Sequence, residues 1–189
     1  MSRDMARHCL IRCVAAAFPL VVACASKPTE PALTTSPVEP DDPVILRVTR
    51  ALEQGGVDAA RTALENDRWL AKDRGRAALL YYDCLLAKNE FALGIDSLRA
   101  YLEKTGRLKT RADEIASRLL AHHSGGGRLA PKGDDEACHF GLYALVGLRE
   151  PDTARPMLEA AAKHAEKPER LLAQWALSDI DRIGGNDGP

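Results

Sequence analysis

Between Asp42 and Ile183 the chain repeats one pattern: apolar residues at helical spacing, in segments of roughly 10 to 16 residues, with capping residues or proline before them and glycine after several. No run of β-branched residues in strict alternation interrupts it, so the pattern accommodates helices and not strands. Asp42-Pro43 reads as an N-cap followed by proline at the first helical position. Val44, Val48 and Leu52 supply one apolar face, and Gly55-Gly56 stops the helix. A second helix is predicted from about Val57, with Ala60 and Leu64 facing inward. A third runs from about Asp73 to Lys88, and a fourth from about Glu90 to Lys104, ended by Gly106. Thr110 and Asp113 have the spacing of a capping box for a fifth helix, which carries Ile115 and Leu119 and ends in the glycines after Ser124. Further helices are predicted at about Asp135 to Leu148, Asp152 to His164 and Pro168 to Arg182; Pro156 fits the second of these only if that helix begins late.

Short turns between helices of this length make sequential helices antiparallel neighbours, and two of the hairpins repeat. Val57, Ala60 and Leu64 recur as Phe91, Gly94 and Leu98, an offset of 34 residues. That period, with small residues Ala60 and Gly94 early in the second helix, resembles the tetratricopeptide repeat family. The resemblance implies an all-α fold over residues 44–183, antiparallel helical hairpins stacked as a short α-solenoid with a groove for a protein or peptide. A third unit is placed at Leu145 to Ala161, with Ala154 as its small residue. The glycine that the family places midway along the first helix is Val48 in one unit and Tyr82 in the other, and an irregular helical bundle is the other reading of the same helices. The segment from Pro168 to Trp175 serves as the closing helix in either arrangement.

The amino-terminal residues carry an address. Arg3, Arg7 and Arg12 stand against the single acid Asp4, and an uncharged apolar stretch follows from Val14 to Ala23. That stretch is far shorter than the ~20 residues needed to span a bilayer, so residues 1–23 read as a cleaved export signal. Val21-Val22-Ala23-Cys24 resembles the lipobox of bacterial lipoprotein precursors, which implies lipid on Cys24 and a membrane anchor. Ala25 and Ser26 lack the aspartate that retains enterobacterial lipoproteins at the inner membrane, so the resemblance implies the periplasmic face of the outer membrane. Ala23-Cys24-Ala25 also fits an ordinary secretory cleavage site, which would release a soluble product. Residues 24–43 are rich in proline and form a tether; at about 3.1 Å per residue it reaches up to roughly 60 Å. Residues 184–189 read as a flexible tail.

Without the signal the net charge is −3, which argues against a nucleic-acid binder. Cys84 and Cys138 admit two readings: a disulfide, which would close a loop of about 55 residues and contribute roughly 4 kcal/mol, or two buried thiols. Asp134, Asp135 and Glu136 lie beside Cys138 and His139, with His122-His123 upstream, but no H-x-x-x-H or C-x-x-C spacing is present. Acids opening a helix are accounted for by its dipole, and neither a metal nor a cofactor is expected. Cys138 and His139, adjacent on one helix, point about 100° apart and do not form a nucleophile and base with each other. No G-x-S-x-G, S-x-x-K, P-loop or dinucleotide fingerprint occurs. Tyr81 and Tyr82 are neighbours and cannot share one interior stripe, so with Arg74 and Arg76 they are expected to mark a partner groove. Arg107, Lys109 and Arg111 would add basic charge if their loop converges on it.

These readings lead to a lipid-tethered, non-enzymatic scaffold that grips a protein or peptide partner in the bacterial envelope. The alternative is an envelope enzyme or ligand-binding lipoprotein with its site near Cys138 and His139.

Overall fold

The computed structural model describes residues 42–126 and 129–184. Residues 1–23, expected to be an export signal, Cys24, the proline-rich segment up to residue 41, expected to be a tether, and residues 185–189 lie outside the described residues. Among those described the chain is all-helical, without a strand. The helices are α1 (Pro43–Asp67), α2 (Arg74–Ala87), α3 (Phe91–Thr105), α4 (Arg111–Ser124), α5 (Asp134–Leu142), α6 (Pro151–His164) and α7 (Lys167–Gly184). A single 3₁₀ turn, Arg68–Leu70, follows α1, and a π-helical turn, Tyr143–Leu148, continues α5. Among the described residues no helix is long and apolar enough to cross a membrane.

Local chemistry sets the boundaries. The Asp42 carboxylate accepts the amides of Val44 and Ile45 at 2.9 and 3.4 Å, and Pro43 opens α1 where a missing N–H costs nothing. Thr110 and Asp113 form the reciprocal capping box of α4. Asp73 caps α2 by accepting the Arg76 amide at 2.9 Å. Gly56 has φ 69, a left-handed conformation in which the chain of α1 doubles back. The Arg47 guanidinium, one turn into α1, pairs with Asp67 at its last residue at 2.8 Å. In a straight helix those residues would stand about 30 Å apart, so α1 is a helical hairpin bent at Gly56.

Around this hairpin α2 is wrapped by its neighbours and touches α1, α3, α4, α5 and α7, while α6 packs on α5 and α7. Every residue of α2 from Gly75 to Ala87 is buried. Gly94 lets α3 come close: a Cβ there would lie 2.8 Å from Leu86 Cδ1 and 3.2 Å from the Tyr82 ring. Ala60 and Ala154, the other small residues singled out above, are fully buried. The last helix returns to the first, α7 packing on α1 as well as on α5 and α6. Pro156 sits inside α6, which begins at Pro151 and not later. The proline is exposed and only five residues from the start, so the carbonyl of Asp152, deprived of its i+4 donor, faces solvent in the first turn, where the cost is small.

Two substitutions test this packing. Gly56→Ala places a side chain at positive φ and is expected to lower unfolding free energy by about 1–2 kcal/mol. Gly94→Leu overpacks the α2–α3 contact and is expected to cost about 1–3 kcal/mol, both read from urea denaturation.

Candidate functional site

Among the described residues, a sealed polar centre on α2 and a cleft between the end of α4, α5 and α6 gather side chains that could carry function.

In the centre, Arg76 and Asp83 lie two turns apart on one face of α2. The Arg76 guanidinium grips the Glu169 carboxylate of α7 with Nε and Nη2, both at 2.7 Å, and Nη1 reaches Glu166 at 2.5 Å. Burial opposes the charge on Arg76, but the two carboxylates outweigh it and hold the guanidinium protonated. Asp83 meets His139 of α5, Oδ2 to Nδ1 at 2.7 Å, with both side chains out of reach of solvent. Burial raises the Asp83 pKa and His139 offsets only part of that; burial lowers that of His139, but Asp83 outweighs it and the net shift is upward. The pair therefore holds a proton more tightly than its separated members. Asp83 Oδ1 and the Tyr82 hydroxyl have no hydrogen-bond partner among the described residues.

Cys84 and Cys138 are free thiols, both buried. Cys138 Sγ donates to the Glu169 carbonyl at 3.3 Å. Burial pushes both thiols far up, so neither offers a thiolate near neutral pH. Cys138 and His139 are thus packed into the interior with no opening to solvent.

The four residues expected to line a groove are not brought onto one surface. Tyr82 and Arg76 are interior, because α2 is covered on every side. Tyr81 is buried beneath the Arg68 guanidinium, 4.3 Å above its ring, and only Arg74 is exposed. Among the acids opening α5, Glu136 is fully buried and serves as more than a cap. It pairs with Arg111 Nη2 at 2.9 Å and Arg118 Nε at 3.0 Å, and accepts the Lys132 amide at 2.7 Å. No three His, Cys, Asp or Glu side chains among the described residues are placed to hold a metal ion.

The cleft is about 310 Å³ and its walls are Leu129, Pro131, Phe140, Ala144, Leu148 and Met157, with His122 at one side. Two bonds pin its outer wall to α4: the Leu129 amide donates to His122 Nδ1 at 2.9 Å, and Arg118 Nη2 donates to the Ala130 carbonyl at 2.7 Å. The His122 ring stands between Phe140 and Tyr143, with centroids 4.9 and 4.8 Å away. Accepting at Nδ1 fixes the neutral tautomer with its proton on Nε2, and burial lowers the pKa in the same direction. The cleft is thus lined by apolar walls, the His122 imidazole and the Thr153 side chain. A signal for it existed in the sequence, an apolar Leu129-Ala130-Pro131 triplet set in a glycine-rich loop, where solvated residues are the norm.

No protein-family model matches the chain. It matches no curated protein and no solved structure.

The two histidines set opposite pH arms. His139 gains a folded-state proton, so its contribution is complete below its unfolded pKa of about 6.5 and is lost as pH rises through the folded value. His122 resists protonation in the fold, so its contribution is complete above about 6.5 and is lost as pH falls. Unfolding free energy is expected to peak near pH 6.5 in the interval from pH 5 to 8. His122→Gln should flatten the acid arm. Asp83→Asn should flatten the alkaline arm and cost about 3–5 kcal/mol by leaving a buried partner unpaired. Denaturant titrations at stepped pH read both.

Proposed function

We propose that this chain is a bacterial envelope lipoprotein, anchored through Cys24 to the periplasmic face of the outer membrane, whose helical domain binds a protein partner without catalysing a reaction. The signal-like residues 1–23, the Val21-Val22-Ala23-Cys24 motif and the proline-rich tether support the anchor. The 34-residue recurrence and the small residues at Ala60 and Gly94 favour a hairpin design of the tetratricopeptide kind. The return of α7 onto α1 covers a face that an open stack would leave as a groove, so partner binding is assigned to the cleft beside His122.

The observation that carries the reading is the chemistry of that cleft: apolar walls, one neutral imidazole and one threonine. At about 310 Å³ it lies at the small end of ligand sites, which run from about 300 to 1,000 Å³. Its chemistry suits an apolar side chain followed by a backbone carbonyl that accepts from His122 Nε2. The rival reading, an enzyme working at Cys138 and His139, gains no support from groups sealed within the core and a thiol whose pKa is raised by burial.

A photo-crosslinking residue at position 129, at the cleft wall, should give a discrete adduct in intact cells. Met157→Asp should reduce it about tenfold or more, given ~1.5–3 kcal/mol for a buried apolar side chain. Unchanged adduct from a folded Met157→Asp protein refutes the cleft assignment. In the same protein, mass spectrometry should find residues 1–23 removed and acyl chains on Cys24; an unacylated Cys24 refutes the anchor.

A further inference from the structure

A basic surface unused by the cleft lies where the chain enters the domain. Two loops build it: the one between α1 and α2, and the one between α3 and α4. Trp69 of the first packs on Tyr101 of α3, ring centroids 6.3 Å apart, and the Lys104 ammonium sits 4.4 Å from the Trp69 ring. Arg68 and Arg74 line one shallow recess with Trp69 and Tyr101. Gly75, at the start of α2, lies against Thr110 and Ala112 at the start of α4, so the two loops are neighbours.

Arg74, Lys104, Arg107 and Lys109 are all exposed. Among them stand two leucines that the core does not take up, Leu70 at 72% exposure and Leu108 at 50%. Most acids at this end are already engaged. Asp67 pairs with Arg47, and Asp73 caps α2. Asp113 accepts from the Tyr101 hydroxyl at 2.5 Å and from the Lys109 and Thr110 amides at 2.9 Å. Glu65 and Glu103 are exposed beside the two loops, and the exposed Asp135 and Glu166 at this end are held by Arg111 and Arg76. Asp42 Oδ2 accepts the Asp73 amide at 3.0 Å, so the chain arriving from Cys24 joins the domain beside these loops.

We propose that this end of the domain docks on an anionic phospholipid surface. Headgroup phosphates meet Arg74, Lys104, Arg107 and Lys109, while Leu70 and Leu108 enter the interface and Trp69 sits at headgroup level, where its amphipathic ring is favoured. An acidic protein surface would satisfy the cations, but exposed leucines on both loops, beside a tryptophan and at the root of the tether, favour a lipid interface. The proposal rests on the anchor reading for its setting. A tether reaching up to roughly 60 Å permits the domain to stand away from the bilayer, and the basic end draws it down.

The test uses the full chain reconstituted in phosphatidylcholine vesicles with and without phosphatidylglycerol. Trp175→Phe leaves Trp69 as sole reporter, since the chain has two tryptophans. Trp69 fluorescence is read against a quencher on the lipid headgroup. Strong quenching is expected with phosphatidylglycerol and little without it. At 1 M salt, where screening shortens to about 3 Å, the quenching should vanish. Each basic residue near an anionic surface is worth roughly a fivefold gain in contact, so Arg74→Gln, Arg107→Gln and Lys109→Gln together should weaken it on the order of a hundredfold. Quenching independent of lipid charge, or unmoved by the triple substitution in a folded protein, overturns the docking. The mass of Cys24 in the same sample separates the two claims: composition-dependent quenching on an unacylated chain retains the docking and removes the anchor, and composition-independent quenching on an acylated chain does the reverse.

Discussion

Burial of α2 from Gly75 to Ala87 is the constraint from which the rest of the structure follows. A helix covered on every side has no solvent for its polar side chains, and each must find a partner within the protein or carry the desolvation cost. Arg76 and Asp83 share a face, so one stripe of α2 demands an acid and a base from whatever packs against it. Glu169 of α7 and His139 of α5 answer that demand. Hydrophobic burial brings the helices to α2 without direction; the two polar pairs fix which helix lies where, since sliding α5 or α7 by one turn would leave a charge buried alone.

The same device recurs at the next level out. Glu136, fully buried at the start of α5, is held by Arg111 and Arg118 of α4. Arg118 also holds the Ala130 carbonyl, so the loop that walls the cleft is tied to the residue that registers α5 on α4. The cleft is therefore a by-product of helix registry and not of a mobile flap: its floor is the π-helical turn and α6, and its outer wall is bonded to α4 at two points. The π turn packs tightly on α3, since a Cβ on Gly147 would lie 2.5 Å from the Phe91 ring, and only glycine admits the approach.

The helices were legible because their ends are written in local chemistry. Asp42-Pro43, Gly55-Gly56, Gly106 and the Thr110–Asp113 box each act within a turn of the backbone, and each lies at a helix end or bend in the fold. Burial of α2 was not legible, because a helix covered all round has no amphipathic stripe to read and its paired tyrosines mimic a surface feature. For the same reason Arg76 read as a groove residue beside Arg74, although two positions on a helix separate opposite fates: one side chain meets Glu169 and the other meets water. The acids before Cys138 read as caps, and Glu136 is one of the residues on which α4 and α5 are registered. The all-helical class could be read from periodicity; the pairing of charges across more than ninety residues, Arg76 with Glu169, has no local signature at all.

The placement of the two surface features relative to each other bears on how such a domain would work. Helix α4 starts beside α2 at the basic end and carries His122 eleven residues later, about 16 Å along its axis. Ala144 and Leu148 of the π-helical turn and Thr153 at the start of α6, which complete the cleft, lie further along the chain than the contact between Arg111 and Asp135 at the basic end. A domain resting on its basic end would turn the cleft away from the bilayer, with the wall residue Leu129 accessible from the aqueous side. A domain free on its tether would present that cleft in every orientation. Under the two proposals, charge at one end would act on binding at the other without any conformational change, by restricting the directions from which a partner can arrive.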